Sequence, residues 1–317
     1  MSADIQADPS FAGGLPKAGD SHVPVRRMGL VAHRLHRKVP NGALLRWAHD
    51  CAAAIAALGL RLHAVGGTFD ALAHHPALAD YAGLVRYPHG RQGGLMRLVS
   101  HVAGALSPQT TLDGIFFFID PMDPSSVYPE ALALKRQCVI HAKPFIATAA
   151  GAKEWVMVEL LNAGLPVDLL EDHAFLTALG EQGVALIAHD ALKAQMVEFA
   201  ANHFDLLSRF RSRIATGTTG GLLNELAWSR GWPKSQPWVT RFLSGPMGGD
   251  AQIAEVLLDG HCQKVIFFED PHVARQHEAD IQLMERAVCS AGEAVSILNT
   301  PAMARRWAQA MQRLVSR

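Results

Sequence analysis

The sequence predicts an α/β protein made of two tandem domains, each a doubly wound parallel sheet covered by helices on both faces. Its 317 residues exceed the usual size of one small domain. Short runs such as Ile115–Ile119 and Val265–Phe268 are apolar throughout, which is typical of parallel strands buried on both faces. Each half also alternates such strands with helix-like segments. These three observations together favour two Rossmann-like domains over one large sheet.

A repeat supports the division into two halves. It pairs His33 with His189, Gly66 with Gly217 and Asp120 with Asp270, all directly after apolar strands. The paired residues lie 156, 151 and 150 residues apart, a drift that small loop insertions explain. A period of this length indicates a duplicated domain rather than a solenoid of stacked repeats.

The repeat and the loop composition predict the domain limits. We expect a flexible N-terminal tail over 1–25, a first domain over 26–160, a linker over 161–182 and a second domain over 183–317. Leu165-Pro166 interrupts the helical pattern inside the linker. The second domain should hold strands near 184–188, 213–216, 239–243, 264–268 and 294–298.

Composition excludes several classes of protein. Lys+Arg and Asp+Glu both number 29, so no basic surface for nucleic acid is indicated. No run has the eighteen or so apolar residues of a membrane span, and the opening residues lack a signal-peptide core, so we expect a cytoplasmic protein. The four cysteines have neither metal nor disulfide spacing, and we expect buried thiols.

The most informative stretch runs from Phe242 to Gln252, with the sequence FLSGPMGGDAQ. It reads as the end of a strand, a turn with three glycines, one acid and then an amphipathic helix. A glycine-rich turn before a helix leaves backbone N–H groups for an anion such as phosphate. Asp250 would then lie beside that anion, although alone it would be a favourable first-turn acid of its helix.

Other strand ends carry groups that suit an anion. The segment Thr216–Gly221 combines hydroxyls with flexible glycines, and Lys193 lies one helical turn after His189. Each feature is weak when taken singly, because such turns and lysines are common. Because parallel strands end at one edge of a sheet, we expect them to meet in one pocket with Asp250.

At these residues the second half resembles the methylglyoxal synthase family along nearly its whole length. The matching segments are Leu186–Asp190 with Lys193, Ala215–Gly220, Leu243–Asp250 with Gln252, Ile266–Pro271, and His277 with Asp280 and Arg286. The Ser-Gly-Pro-Met-Gly-Gly-Asp run is highly specific. The resemblance implies a carbon–oxygen lyase that converts dihydroxyacetone phosphate to methylglyoxal and phosphate, with no cofactor and no metal.

The resemblance also implies roles for individual residues. Asp250 would be the catalytic base, and His277 would polarise the carbonyl or carry a proton. Asp270 and Asp280 would support them. Substrate and phosphate binding would fall to His189, Lys193, Thr216, Gly217, Thr218, Thr219, Ser244 and Gly245.

The first half departs from this pattern. Its glycine turn, Tyr87–Leu95, has no acid at the position of Asp250. By the same spacing, Val65, Gly67, Val127 and Glu130 replace Thr216, Thr218, His277 and Asp280, so we expect a degenerate domain. For His33 and Arg37 we expect a structural or interface role, with anion binding as the alternative.

Two departures concern the second half. Glu269 stands beside Asp270 where the family has an aromatic residue, and it could raise a neighbouring acid's pKa or weaken anion binding. The chain also ends soon after Trp307, so the family's final strand and basic tail would be missing.

The resemblance further implies a homo-oligomer, in which three two-domain chains form the ring that six single domains form elsewhere. Two alternatives remain open. The chain could be a non-catalytic protein that binds an anion or nucleotide effector, similar to the regulatory domain of carbamoyl phosphate synthetase. It could also be a different enzyme on this fold, similar to inosine monophosphate cyclohydrolase, although the glycine-aspartate turn speaks against both.

Overall fold

The computed structural model describes residues 27–104, 106–127, 129–272 and 274–315, with the backbone alone at 125, 127, 246 and 274–280. The predicted tail over 1–25 lies outside these ranges. No helix within them is long and apolar enough to cross a membrane.

Within the described residues, the first half contains five strands and six α-helices. The strands are β1 Arg27–Ala32, β2 Arg61–Val65, β3 Leu84–Tyr87, β4 Gly114–Phe118 and β5 Phe145–Ile146. The helices are α1 Arg34–Lys38, α2 Ala43–Leu58, α3 Gly66–Ala73, α4 Gly94–Val102, α5 Pro129–Ile140 and α6 Ala149–Asn162. Helix α6 thus ends two residues beyond the predicted limit at 160.

The second half repeats this alternation after a connecting segment. That segment contains α7 Ala174–Thr177 and lies against the first half, where the Glu171 N–H donates to Asp50 O at 3.1 Å. The strands are β6 Gly183–Ala188, β7 Ser212–Ala215, β8 Thr240–Arg241, β9 Lys264–Phe268 and β10 Ser296–Leu298. The helices are α8 Lys193–Asn202, α9 Phe204–Ser208, α10 Gly217–Ser229, α11 Gly249–Leu258, α12 Ala274–Ser290 and α13 Pro301–Val315.

Both sheets have five strands in the same order. The first is β3-β2-β1-β4-β5, and the second is β8-β7-β6-β9-β10 when it is read in the same direction. Every strand pair is parallel, and the central pair of each half keeps the same register, with Val31 opposite Phe117 and Ile187 opposite Phe267. The predicted fold class, two doubly wound parallel sheets with flanking helices, is confirmed.

One predicted strand is much shorter than expected. We predicted a strand over 239–243, but β8 has only two residues. Its neighbours bond to side chains: the Val239 N–H donates to Asn224 Oδ1 at 2.9 Å, and the Leu243 N–H donates to Gln252 Oε1 at 3.0 Å. Strand β8 therefore pairs with β7 over two residues, with side-chain bonds on both sides of it. The predictions for β6 and β9 differ from the structure by one residue at most.

One hydrophobic cluster spans both halves. Helix α6 of the first half packs against α13 of the second, and Trp155 and Trp307 lie buried in the same cluster. Glu154 accepts from Trp307 Nε1 at 2.9 Å and pairs with the buried Lys264, which also donates to Ser296 Oγ at 2.6 Å. These polar groups are buried together, so the contact between the halves is specific rather than loose.

The four cysteines are free and buried, as predicted. Burial raises the pKa of each thiol, to about 12 for Cys262.

Candidate active site

A pocket of about 240 Å³ opens at the carboxyl ends of the second sheet's strands. Polar and charged residues line most of it, and three apolar residues add to the lining. The lining residues are Ile187, Ala188, His189, Asp190, Lys193, Thr216, Thr218, Ser244, Gly245, Asp250 and Phe267. The strand-end segments that sequence analysis singled out thus meet in one place.

The glycine turn has the tight geometry that its sequence predicts. The Gly249 N–H donates to Ser244 O at 3.0 Å, and Gly248 has a φ of 97°, a left-handed conformation that favours glycine. A Cβ at Gly249 would lie 1.9 Å from Leu243 O. The turn therefore needs glycine at both positions, and α11 begins directly after it.

Asp250 lies in the first turn of α11 and reaches back over the glycine turn. A Cβ on Gly245 would lie 2.7 Å from Asp250 Oδ2, so the carboxylate rests against the Gly245 backbone. The same pocket is lined by Thr216 and Thr218. The carboxylate and the threonine-rich turn therefore face one cavity.

The threonine-rich turn packs directly against the glycine turn. Helix α10 begins at Gly217, and a Cβ there would lie 3.0 Å from the Ser244 nitrogen. The Gly217 N–H donates to Leu243 O at 2.9 Å, so this N–H forms a hydrogen bond within the backbone. Gly217 and Thr219 do not line the pocket, and the Thr219 hydroxyl is buried with no hydrogen-bond partner among the described residues. Thr216 and Thr218 are the residues of this turn that reach the cavity.

His189 is fixed by the loop that follows β9. Its Nδ1 accepts from the Asp270 N–H at 2.8 Å, and its ring contacts Phe267 edge-on with centroids 5.0 Å apart. Because Nδ1 accepts, the neutral ring carries its proton on Nε2. Lys193 lines the pocket and donates to Asp190.

The remaining predicted residues lie elsewhere or outside the description. The Asp270 carboxylate accepts from the His272 N–H at 2.9 Å and lines a neighbouring cavity between the halves. His277 and Asp280 belong to α12, and their side chains are outside the described residues. Sequence reasoning gave no role to Phe267 or Asp190, although both adjoin residues that it named.

Glu269 does not face this pocket. It is buried, and its Oε1 lies 3.2 Å from Lys135 Nζ of the first half. Burial raises the pKa of Glu269, and Lys135 opposes that rise. Glu269 therefore makes no direct contact with this pocket through which it could affect anion binding there.

The pocket combines groups that can hold an anion with two carboxylates, Asp250 and the Asp190 that accepts from Lys193. The first N–H groups of α10 and α11 have no partner within their own helices, and both helix starts bring partial positive charge to the cavity. Lys193 and three hydroxyl groups add to this. Such a site can hold a phosphate ester and place a base beside it.

Comparison with known proteins gives several relatives of one kind, although no family model matches the chain. A methylglyoxal synthase of Thermus thermophilus is 42% identical over 109 residues, which are 34% of this chain and 79% of that protein. The Agrobacterium fabrum methylglyoxal synthase is 41% identical over 107 residues, or 34% of this chain and 78% of that protein. The Clostridium beijerinckii methylglyoxal synthase is 37% identical over 116 residues, or 37% of this chain and 89% of that protein.

Among solved structures, the methylglyoxal synthase of Elizabethkingia anophelis matches with a TM-score of 0.32 and 32% identity. The match covers 40% of this chain and 76% of that one.

Proposed function

Because this chain belongs to the methylglyoxal synthase family, we propose that it converts dihydroxyacetone phosphate to methylglyoxal and phosphate. The observation that carries the proposal is the position of Asp250, whose carboxylate rests against Gly245 in a pocket also lined by Thr216, Thr218 and Lys193. These neighbours suit the phosphate end of a triose phosphate. The carboxylate is then within reach of the carbon chain attached to it.

We propose that Asp250 takes a proton from the hydroxymethyl carbon of the substrate. The electrons of that C–H bond form a double bond to the carbonyl carbon, which gives an enediolate. His277 would stabilise the charge on the carbonyl oxygen. A carboxylate base and a neutral histidine divide these two roles in the same way in an enzyme that acts on triose phosphates. Asp270 would act through His189, because its N–H fixes that ring, and Asp280 would support His277.

The second step breaks the bond between carbon and the phosphate oxygen. As the terminal hydroxyl loses its proton and becomes a carbonyl, the double bond shifts toward the phosphate-bearing carbon and phosphate leaves with the bonding pair. The hydroxyl proton leaves with the phosphate, and the resulting enolate takes a proton on its methylene carbon and becomes methylglyoxal. Atoms and electrons balance without an oxidant or reductant, in agreement with the proposal of a reaction without cofactor.

The phosphate site decides between elimination and isomerisation. The electrons of the enediolate can expel phosphate only when the C–O bond stands perpendicular to the enediolate plane. Two adjacent turns pack against each other at the phosphate site. One carries Ser244 and Gly245, and the other carries Thr216 and Thr218. We propose that they hold the phosphate in this perpendicular orientation, with Lys193 and His189 neutralising its charge.

We propose that the two halves are tandem copies of one domain, 26–160 and 183–317 joined by 161–182, with activity in the second copy. The common strand order and the matching glycine turns support this. We also propose a homo-oligomer, and a molar mass of one chain by light scattering would exclude it.

The test is to incubate the full chain with dihydroxyacetone phosphate and follow methylglyoxal and phosphate separately. We expect equal molar amounts of both, above the background given by heat-treated protein. Release of phosphate without methylglyoxal would indicate a phosphatase and contradict the proposal. Formation of neither product would also contradict it.

A further inference from the structure

The first half has its own pocket at the corresponding edge of its sheet. Its volume is about 690 Å³, compared with about 240 Å³ for the pocket around Asp250. Residues that follow β1, β2 and β3 line it, together with Phe117 of β4. The same structural elements therefore form a larger cavity in this half.

The glycine turn of this pocket has the backbone of the active-site turn. Gly93 has a φ of 81°, and the Gly94 N–H donates to His89 O at 3.1 Å, as the Gly249 N–H donates to Ser244 O. The next residue is Leu95, which lines the pocket where Asp250 lines the other. A leucine cannot take a proton, so this pocket lacks the base that Asp250 would provide in the other.

Arg37 is built into the pocket wall. Its Nε donates to Ala32 O and its Nη1 donates to Gly67 O, both at 3.2 Å. A Cβ on Gly67 would lie 2.7, 2.8 and 2.9 Å from three guanidinium atoms, so the guanidinium occupies space that only glycine leaves open. In the second half Thr218 stands at that position. The two backbone bonds hold the guanidinium in place and leave Nη2 outside them.

The charged groups around the cavity favour an anion. Arg34, Arg37 and Arg91 line it, and Glu130 is the acid among the lining residues. Asp123 lies 3.6 Å from Arg34 and 2.9 Å from His33 Nε2, while Asp120 lies 3.3 Å from His33 Nδ1. His33 is therefore held between two carboxylates, and the positive charge available to a ligand comes from Arg37 and Arg91. Burial lowers the pKa of Arg37, and Asp70 opposes that change.

The rest of the wall suits an organic group larger than a triose. Val65, Leu95 and Phe117 provide apolar surface. The His89 ring lies on Gly66, where a Cβ would come within 2.4 Å of its Nδ1. A flat ring on one side and apolar side chains on the other can contact a sugar or a base.

We propose that the first half is a binding site for a phosphate monoester larger than a triose phosphate, held by Arg37 and left unchanged. The site does not depend on the activity of the second half. It gives the degenerate domain a ligand of its own.

The test is isothermal titration calorimetry on the full chain with glucose 6-phosphate, uridine monophosphate and inorganic phosphate. Glucose and uridine serve as uncharged controls. We expect at least one ester to bind saturably and its uncharged counterpart not to bind. Arg37→Ala should weaken that binding at least tenfold, whereas Lys193→Ala, which alters the other pocket, should leave it unchanged.

A melting curve checks that Arg37→Ala folds. If it does not, Leu95→Asp takes its place, because a carboxylate in the cavity should repel the phosphate and weaken binding to a similar degree. Failure of both esters to bind the wild-type chain would overturn the proposal. Binding that is lost in Lys193→Ala but kept in the first-half variants would also overturn it, since the ligand would then occupy the second pocket.

Discussion

Lys135 of the first half and Glu269 of the second form a nearly buried ion pair, with 3.2 Å between Nζ and Oε1. Glu285 of α12 adds a second carboxylate 3.5 Å from the same Nζ. The adjacent residue in the chain, Asp270, donates its N–H to His189 in the pocket. A side chain of the first half thus fixes the end of β9 from which the candidate active site is built.

Replacement of Lys135 by methionine should destabilise the whole chain. The change keeps the length of the side chain but leaves Glu269 and Glu285 without their cation, and breaking a buried pair costs about 3–5 kcal/mol. The free energy of unfolding, measured by urea denaturation at neutral pH, should fall by that order.

The control adds Glu269→Gln and Glu285→Gln to Lys135→Met, which removes both unpaired charges and should recover most of the loss. The deficit of the single variant should also depend on pH. Burial already raises the pKa of Glu269, and removal of Lys135 raises it further. A carboxyl group whose pKa is raised in the folded state destabilises the protein as pH rises. The loss of unfolding free energy in Lys135→Met should therefore become smaller toward acid pH. An equal deficit at all pH values would argue against an electrostatic origin.

Gly245→Ala should reduce activity with little effect on stability. Gly245 has no left-handed backbone, and the contact of its added Cβ would be with Asp250 Oδ2 at 2.7 Å. The methyl group must push the carboxylate away from its present position, and we expect kcat to fall about tenfold or more, because misplaced catalytic groups lose rate steeply. The melting temperature should stay within about 2 °C of the wild type.

Gly249→Ala is the contrasting variant on the same turn. Its Cβ would lie 1.9 Å from a backbone oxygen, Leu243 O, which cannot move aside as a side chain can. We therefore expect a marked loss of stability. Normal activity in Gly245→Ala would mean that the carboxylate acts from another position.

Stability should decline below about pH 6 because of His63. This histidine lies in the first sheet against Tyr87, with centroids 5.4 Å apart, and neither ring nitrogen has a hydrogen-bond partner among the described residues. Burial, followed by the charges of Arg27 and Arg61, lowers its pKa from 6.5 to about 4. Between these values the unfolded chain binds the proton that the folded chain refuses, so stability falls as pH falls.

The full shift would correspond to several kcal/mol, and partial exposure of the ring reduces this to about 1–2 kcal/mol. His63→Phe should remove this part of the pH dependence while keeping the edge contact with Tyr87. His74→Gln, at an exposed position, should leave the dependence as it is. Identical pH profiles for the wild type and His63→Phe would rule out this cause.

Much of the fold follows from local sequence patterns. Strand β9 has its predicted limits, 264–268, because a strand buried on both faces is recognisable as a continuous apolar run, here Val265–Phe268. The turn before Asp250 could also be predicted from the sequence. Close backbone contacts require its glycines, and these glycines mark the turn. The short length of the edge strand β8 could not be predicted, because the residues beside it bond to Asn224 and Gln252 from elsewhere in the chain.

Contacts between the halves were beyond the reach of sequence patterns. From the sequence, Glu269 could raise a neighbouring acid's pKa or weaken anion binding, and nothing local shows that Lys135 meets it. The position of Arg37 over Gly67 was hidden for the same reason, although Gly67 had been noted as a departure from Thr218 of the second half. Contacts between residues that are distant in sequence can be identified only from the structure, in which the sheet brings the residues together.

The central claim is that Asp250 is the base of a phosphate elimination, and the most direct measurement is kcat for methylglyoxal formation by Asp250→Asn. Glu255→Gln makes the same acid-to-amide change at an exposed position of α11 and serves as the control. We predict that kcat falls about 10²- to 10⁴-fold in Asp250→Asn, with inorganic phosphate bound at least as tightly as by the wild type, and that the control keeps full activity. A kcat for Asp250→Asn equal to that of Glu255→Gln would contradict the account.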